Sequence, residues 1–146
     1  VETAMRLREM FTLTLAQVDL ARKTIFLDKT KNGDKRQVPL SSVALQVLRD
    51  YLPHAAEGQL FPWWDGQQKT LPATSDYLSK LFAAIFIQAG AQSLRFHDLR
   101  HEATSRLFER TRLTDLQIMR ITGHKSHRML MRYANLRGSD LSEQLW

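Results

Sequence analysis

The sequence contains no cysteine. That excludes a disulfide scaffold, a thiol nucleophile, a thiolate zinc site and an iron–sulfur cluster. No apolar run approaches the roughly 20 residues of a membrane span, and no signal peptide opens the chain. There are no repeats, no low-complexity segment and no linker long enough to divide it. What remains is 146 residues, 43% apolar and 25% charged, which suits one domain with its own core. The chain starts at Val1 rather than Met, directly in helix-like sequence, so a fragment of a longer protein is expected.

Basic charge is abundant but unevenly placed. The formal net charge is +6 and the isoelectric point about 10.0, which suits an anionic partner without naming one. Ten of the 21 Lys and Arg lie between Arg95 and Arg137 with only four acids, and elsewhere the charges balance. Nine of those ten are Arg, whose planar fork matches phosphate oxygens. Four of the five histidines, His97, His101, His124 and His127, share the window. A solvated basic face is the plain explanation, but apolar helical periodicity runs through the same stretch and turns some of these side chains inward.

The pattern predicts a mostly helical α+β domain with one small antiparallel sheet. Met5, Leu7, Met10, Phe11 and Leu13 recur at helical spacing and carry Arg6, Arg8 and Glu9. Lys23 to Asp28 and Lys35 to Leu40 are β-rich runs around Asn32-Gly33, a hairpin signal, with Pro39 at a strand end or edge. Ser41 or Ser42 caps a helix to about Leu52. Pro53 to Pro72 reads as loop, including Trp63-Trp64, and a helix then runs from about Ser75 to Gly90. Further helices are expected from about Asp98 to Arg110, from Thr114 to Gly123, from Ser126 to about Tyr133, and after Gly138 to Trp146.

Taken singly, the polar candidates are unremarkable. Arg6 and Lys31 fit a surface helix and a solvated turn, and His124 after Gly123 fits a helix C-cap. A tyrosine in an amphipathic segment is commonly core or interface. Together they suggest one reaction. Cleaving a DNA phosphodiester without a metal requires a nucleophile, donors around the phosphate and an acid for the leaving oxygen. A Tyr phenol can attack and hold the phosphate as an ester. Arginines can stabilise charge on the phosphoryl oxygens, a His can move the nucleophile's proton, and a Lys can protonate the leaving hydroxyl.

Several motifs, in order, resemble the catalytic domain of the tyrosine recombinases, the phage integrases and their relatives. Thr3-Ala-Met-Arg-Leu-Arg-Glu9 is similar to that family's Thr-Gly-x-Arg-x-x-Glu segment. Lys31 precedes Pro39 by eight positions, as the family's hairpin lysine does. His97-Asp-Leu-Arg-His101 resembles its His-x-x-Arg box, and Gly123-His124 stands nine residues before Tyr133 as its Gly-His stands before its tyrosine. The resemblance implies that Tyr133 is the nucleophile and forms a 3′-phosphotyrosyl link. It implies that Arg6, Arg100 and His124 hold the phosphate, that Lys31 is the leaving-group acid, that His97 assists proton transfer and that Glu9 orients Arg6. Arg95, Lys125, Arg128 and Arg132 are expected to bind the DNA backbone.

The resemblance further implies double-stranded DNA as partner, four protomers on two duplexes, and no metal, ATP or other cofactor. It places the protein in the cytoplasm of a bacterium, on the nucleoid. The family's separate N-terminal DNA-clamping domain is not in this sequence, and Leu141 to Trp146 is a candidate for docking on a neighbouring protomer. Three departures stand out. Ala4 replaces the family's usual Gly, Leu15 and Gln17 replace its frequent Trp and Asp, and Lys125-Ser-His-Arg128 is more basic than usual. Alternatives weighed against recombination are a type IB topoisomerase-like activity, a non-catalytic DNA-binding module, and a zinc site built on the i,i+4 pair His97 and His101.

Overall fold

The computed structural model describes residues 1–28, 35–55 and 58–133. The proposed lysine Lys31, Arg137 and the segment Leu141 to Trp146 lie outside the described residues.

The first helix, α1 (Leu7–Phe11), is shorter than the apolar spacing predicts. Arg6 is its N-cap rather than a helical residue, and Glu9 at the third helical position accepts from the Arg6 backbone N–H at 2.8 Å. A single 3-10 turn, Leu15–Gln17, leads into a three-stranded antiparallel sheet in the order β1 (Val18–Asp19), β2 (Thr24–Leu27), β3 (Arg36–Pro39). The two runs on either side of Asn32-Gly33 pair antiparallel as β2 and β3, with Ile25 opposite Val38, while Asn32-Gly33 itself lies outside the described residues. β1 is an addition: two residues are too short to show alternation. Pro39 ends β3 on an edge of the sheet, where its missing N–H costs no ladder bond.

Ser41 caps α2 (Ser42–Tyr51), its hydroxyl accepting from the Ala44 N–H at 3.1 Å. One face of α2 closes the sheet. Met5, Leu13, Ile25, Leu27, Val38, Leu40, Leu45, Leu48 and Leu60 are all buried in this core. The loop after α2 is pinned by aromatic packing. Trp63 stacks on Phe61 at 4.8 Å and 17°, and Trp64 meets Phe11 edge-on while its Nε1–H donates to the Gln67 carbonyl. The tryptophan pair therefore serves the fold.

α3 (Leu71–Gln88) starts four residues before the predicted Ser75, because Pro72 sits in its first turn, where a missing N–H is tolerated. Next come α4 (Phe96–Arg110), with Arg95 as N-cap and Asp98 bonded to its N–H at 2.7 Å, and α5 (Asp115–Thr122), capped by Thr114 and ended by left-handed Gly123 at φ 71°. α6 (His127–Leu130) passes into a 3-10 turn over Met131–Tyr133. α5 packs against β3 on one side and against α4 and α6 on the others, burying Ile118, Thr122, Ala103, Thr104 and Leu130. The helices thus bring their catalytic candidates to the sheet. Among the described residues no helix is long and apolar enough to cross a membrane.

Candidate active site

The C-terminal end of α5 organises the site. A helix leaves its last carbonyls without intrahelical donors and carries partial negative charge there. Three arginines from three different segments take up successive carbonyls at this end. Arg36 Nε donates to Ile121 O at 3.1 Å, Arg100 Nη2 to Thr122 O at 2.6 Å, and Arg6 Nη2 to Gly123 O at 3.3 Å. Arg100 also donates through Nη1 to the Ala4 carbonyl. Ala4 presents that carbonyl from a left-handed backbone, φ 48°, a conformation glycine adopts freely and alanine does not.

Glu9 is the single acid among these groups. Its buried carboxylate accepts a bidentate pair from Arg36, both bonds at 2.8 Å, and a third bond from Arg6 Nη1 at 2.8 Å. Burial pushes the Glu9 carboxyl up, but the bonds from Arg36 and the Arg6 backbone outweigh it, and its pKa is held below the ordinary value. Three guanidinium groups against one carboxylate leave an excess of positive charge for an anion. Arg100 is buried, and burial together with the charge of Arg6 lowers its pKa to about 10. It remains protonated at neutral pH.

Tyr133 stands at this cluster, half-buried at the end of the last 3-10 turn. Its hydroxyl shares a hydrogen bond with Nδ1 of His101, and their ring centroids are 5.6 Å apart. His97 lies edge-on to His101 at 4.6 Å. The His124 ring centroid is 6.0 Å from that of Tyr133. Desolvation raises the Tyr133 phenol, with Arg132 and Arg100 acting in the opposite direction. Arg132 places its guanidinium 5.7 Å from the Tyr133 ring centroid.

His124 is oriented by Thr122. The Thr122 hydroxyl has one proton and donates it to Ile118 O at 2.8 Å. The 2.6 Å contact between Thr122 Oγ1 and His124 Nδ1 then requires the imidazole to donate. That assigns the neutral His124 ring a proton on Nδ1 and a lone pair on Nε2. Burial, then the charges of Arg100 and Arg6, lower its pKa to about 4. His97 is also shifted down, by partial desolvation and the neighbouring His101 and Arg100. Arg95, Lys125, Arg128 and Arg132 are all exposed. Two clefts flank the site, of about 570 Å³ and about 530 Å³. Lys35 and His124 both line the first, and Asp28 and Arg6 both line the second.

A family model described as the phage integrase family matches residues 1–139. The chain belongs to the phage integrase family. It is 36% identical to a shufflon-specific DNA recombinase of Escherichia coli over 145 residues, which is 99% of this chain and 35% of that protein. The chain thus spans about a third of the length of that curated relative. Its fold is similar to that of XerA recombinase, with a TM-score of 0.73 at 24% identity over 97% of this chain and 52% of the other. It is also similar to the catalytic domain of bacteriophage HP1 integrase, with a TM-score of 0.59 at 28% identity, covering 97% of this chain and 73% of that one.

In this integrase-family chain the structure brings Arg6, Glu9, Arg100, His124 and Tyr133 together, and places His97 one ring behind His101. Two further residues share the site. Arg36 is part of the hairpin sequence quoted for the resemblance, yet its partner Glu9 is 27 positions away. His101 belongs to the histidine-rich window and closes the His97-to-His101 motif, but the sequence assigns it no part in the tyrosine chemistry. Its place on Tyr133, 32 positions on, follows from the packing of α6 and its 3-10 turn.

Proposed function

We propose that this chain is the catalytic domain of a site-specific DNA recombinase acting through a covalent 3′-phosphotyrosyl intermediate. The observation that carries the reading is that Tyr133, with its hydroxyl on His101, packs its ring 6.0 Å from that of His124, directly after the end of α5 whose carbonyls hold Arg6, Arg36 and Arg100. Such a cluster suits a phosphodiester whose charge rises as the tyrosine attacks. Arg6, Arg100 and, once protonated, His124 are the donors to the phosphoryl oxygens, each worth roughly 10²–10³ in rate by the scale of oxyanion donors. Glu9 holds Arg6 through the bond between their side chains. Lys31 is the acid for the leaving 5′-oxygen, and a partner strand's 5′-hydroxyl reverses the step. The phosphotyrosyl ester keeps the energy of the broken bond, so rejoining needs no ATP. The relative named a DNA recombinase supports duplex DNA as the substrate. Arg95, Lys125, Arg128 and Arg132, all exposed, suit the backbone flanking the scissile phosphate. Full strand exchange assigns four protomers to two duplexes.

The test is covalent trapping. The protein is incubated with a pool of nicked duplexes of randomised sequence, and adducts are recovered under denaturing conditions. The reading expects an adduct with the unaltered protein and none with Tyr133→Phe. An adduct that persists in Tyr133→Phe refutes the nucleophile assignment. Sequencing the recovered DNA yields an enriched duplex for further measurements.

A further inference from the structure

We propose that His101 is the base that takes the proton from Tyr133 during cleavage, a role that rests on reading Tyr133 as the nucleophile. His101 Nδ1 is hydrogen-bonded to the Tyr133 hydroxyl. The phenol donates in that bond, so Nδ1 carries the lone pair and Nε2 the hydrogen of the neutral ring. The two neighbouring histidines are placed differently. His97 packs its ring edge-on against His101, at 4.6 Å and 88°. His124 commits its Nδ1 to Thr122, and its environment keeps it a weak base.

A base is needed at this position. Desolvation holds the Tyr133 phenol above its ordinary value, so fewer than about one in 10³ would be ionised at pH 7. A base already in contact with the hydroxyl removes the proton within the chemical step, an effect of about 10²–10⁴ in rate. As the bond from Tyr133 Oη to phosphorus forms, the phenolic proton moves to His101 Nδ1. The bond from phosphorus to the 5′-oxygen breaks, its electron pair leaves with that oxygen, and the oxygen takes a proton from Lys31. In rejoining, the 5′-hydroxyl attacks and gives its proton back to Lys31, the phosphotyrosyl bond breaks, and His101 returns its proton to the phenolate. Helix geometry allows one element to serve both groups. His101 follows Arg100 directly on α4, so the helix turns Arg100 to the α5 carbonyls and His101 to the tyrosine.

The experiment uses the full chain and the enriched nicked duplex, with His101→Asn and His101→Ala. Asparagine can still hydrogen-bond the hydroxyl but cannot take a proton. Both variants are expected to bind the duplex as the unaltered protein does and to form adduct about 10²-fold more slowly or worse. Added imidazole is expected to restore part of the rate in His101→Ala. A duplex with sulfur in place of the bridging 5′-oxygen leaves without an acid, and is expected to leave both defects unchanged. Adduct formation by His101→Asn within about threefold of the unaltered rate overturns the proposal, and so does rescue by the sulfur substrate, which would put His101 at the leaving group. If the unaltered protein forms no adduct at all, it is the recombinase reading that fails. If it does and the His101 variants match it, only the role of His101 falls.

Discussion

A Cβ placed on Gly123 would stand 2.6 Å from Nη1 of Arg36 and 3.1 Å from its Cζ. The end of a guanidinium usually swings away, but this one is fixed by two bonds to Glu9 and one to Ile121 O. Gly123 also has φ 71°, which costs a Cβ-bearing residue roughly 1–2 kcal/mol. Two separate constraints therefore demand glycine immediately before His124. Gly123→Ala is expected to lose at least about 1–2 kcal/mol in urea unfolding and to slow adduct formation by displacing Arg36 and the His124 turn. An unchanged unfolding midpoint would show that neither constraint acts.

Ala4 poses the converse case. Its φ of 48° is costly for alanine, and its carbonyl must stay in place to receive Arg100. Ala4→Gly removes roughly 1–2 kcal/mol of backbone cost and gives up about 0.8 kcal/mol for a buried methyl group and about 0.5–1 kcal/mol of chain entropy. These nearly cancel, so stability is expected to change by less than about 0.5 kcal/mol. Ala103, equally buried but within α4, lacks the offset. Ala103→Gly is expected to cost about 1.3–1.8 kcal/mol from the same two losses. Equal costs for the two variants in urea titrations would contradict the strain assigned to Ala4.

Glu9 offsets part of the charge of the arginine cluster through its bonds to Arg6 and Arg36. Glu9→Gln leaves Arg36 and Arg6 with a neutral partner in a buried site, and removing one member of such a pair costs about 3–5 kcal/mol. The pH dependence follows from the lowered pKa of Glu9. A carboxyl held below its unfolded value stabilises the fold fully above that value, and the contribution is lost as pH falls through the folded pKa. The gap in unfolding free energy between the parent and Glu9→Gln is expected to be full at pH 7 and to narrow below about pH 4. A gap that stays constant down to pH 3 would show that the charge of Glu9 is immaterial.

Local chemistry made much of this legible. Ser41, Thr114 and Gly123 mark helix ends because capping uses neighbouring backbone groups, and all three act as caps. The hairpin strands were readable from the runs beside Asn32-Gly33. The start of α3 was not, since Pro72 reads as loop unless its place in the first turn is known. α1 ends early because apolar spacing at Leu13 continues in the core after the helix has stopped. For the candidate site, the ordered motifs single out Arg6, His97, Arg100, His124 and Tyr133 as candidates. They do not reveal that α5 supplies the carbonyls for three arginines, or that His101 reaches Tyr133. Those links join residues 22 to 117 positions apart, and only packing of α5 against β3 and α4 brings them into range.

His124 gives the site a response to acid that runs through folding. In the unfolded chain a histidine titrates near 6.5, and in the folded protein His124 titrates at about 4 because burial and the charges of Arg100 and Arg6 disfavour its cation. Between those values the unfolded state binds the extra proton, so stability falls as pH drops from 6.5 toward 4. His97, lowered for related reasons, adds to the same slope. His124→Gln keeps a polar group beside Thr122 but cannot titrate. The melting temperature of the parent is expected to fall more between pH 7 and pH 5 than that of the variant. A DNA phosphate at the cluster would reverse the balance by favouring the cation, letting Nε2 donate while Nδ1 stays on Thr122 Oγ1. Duplex binding by Tyr133→Phe should therefore take up protons near pH 6, measured by calorimetry in buffers of different ionisation enthalpy, and His124→Gln in that background should reduce the uptake. Equal uptake with and without His124 would remove it from the phosphate site.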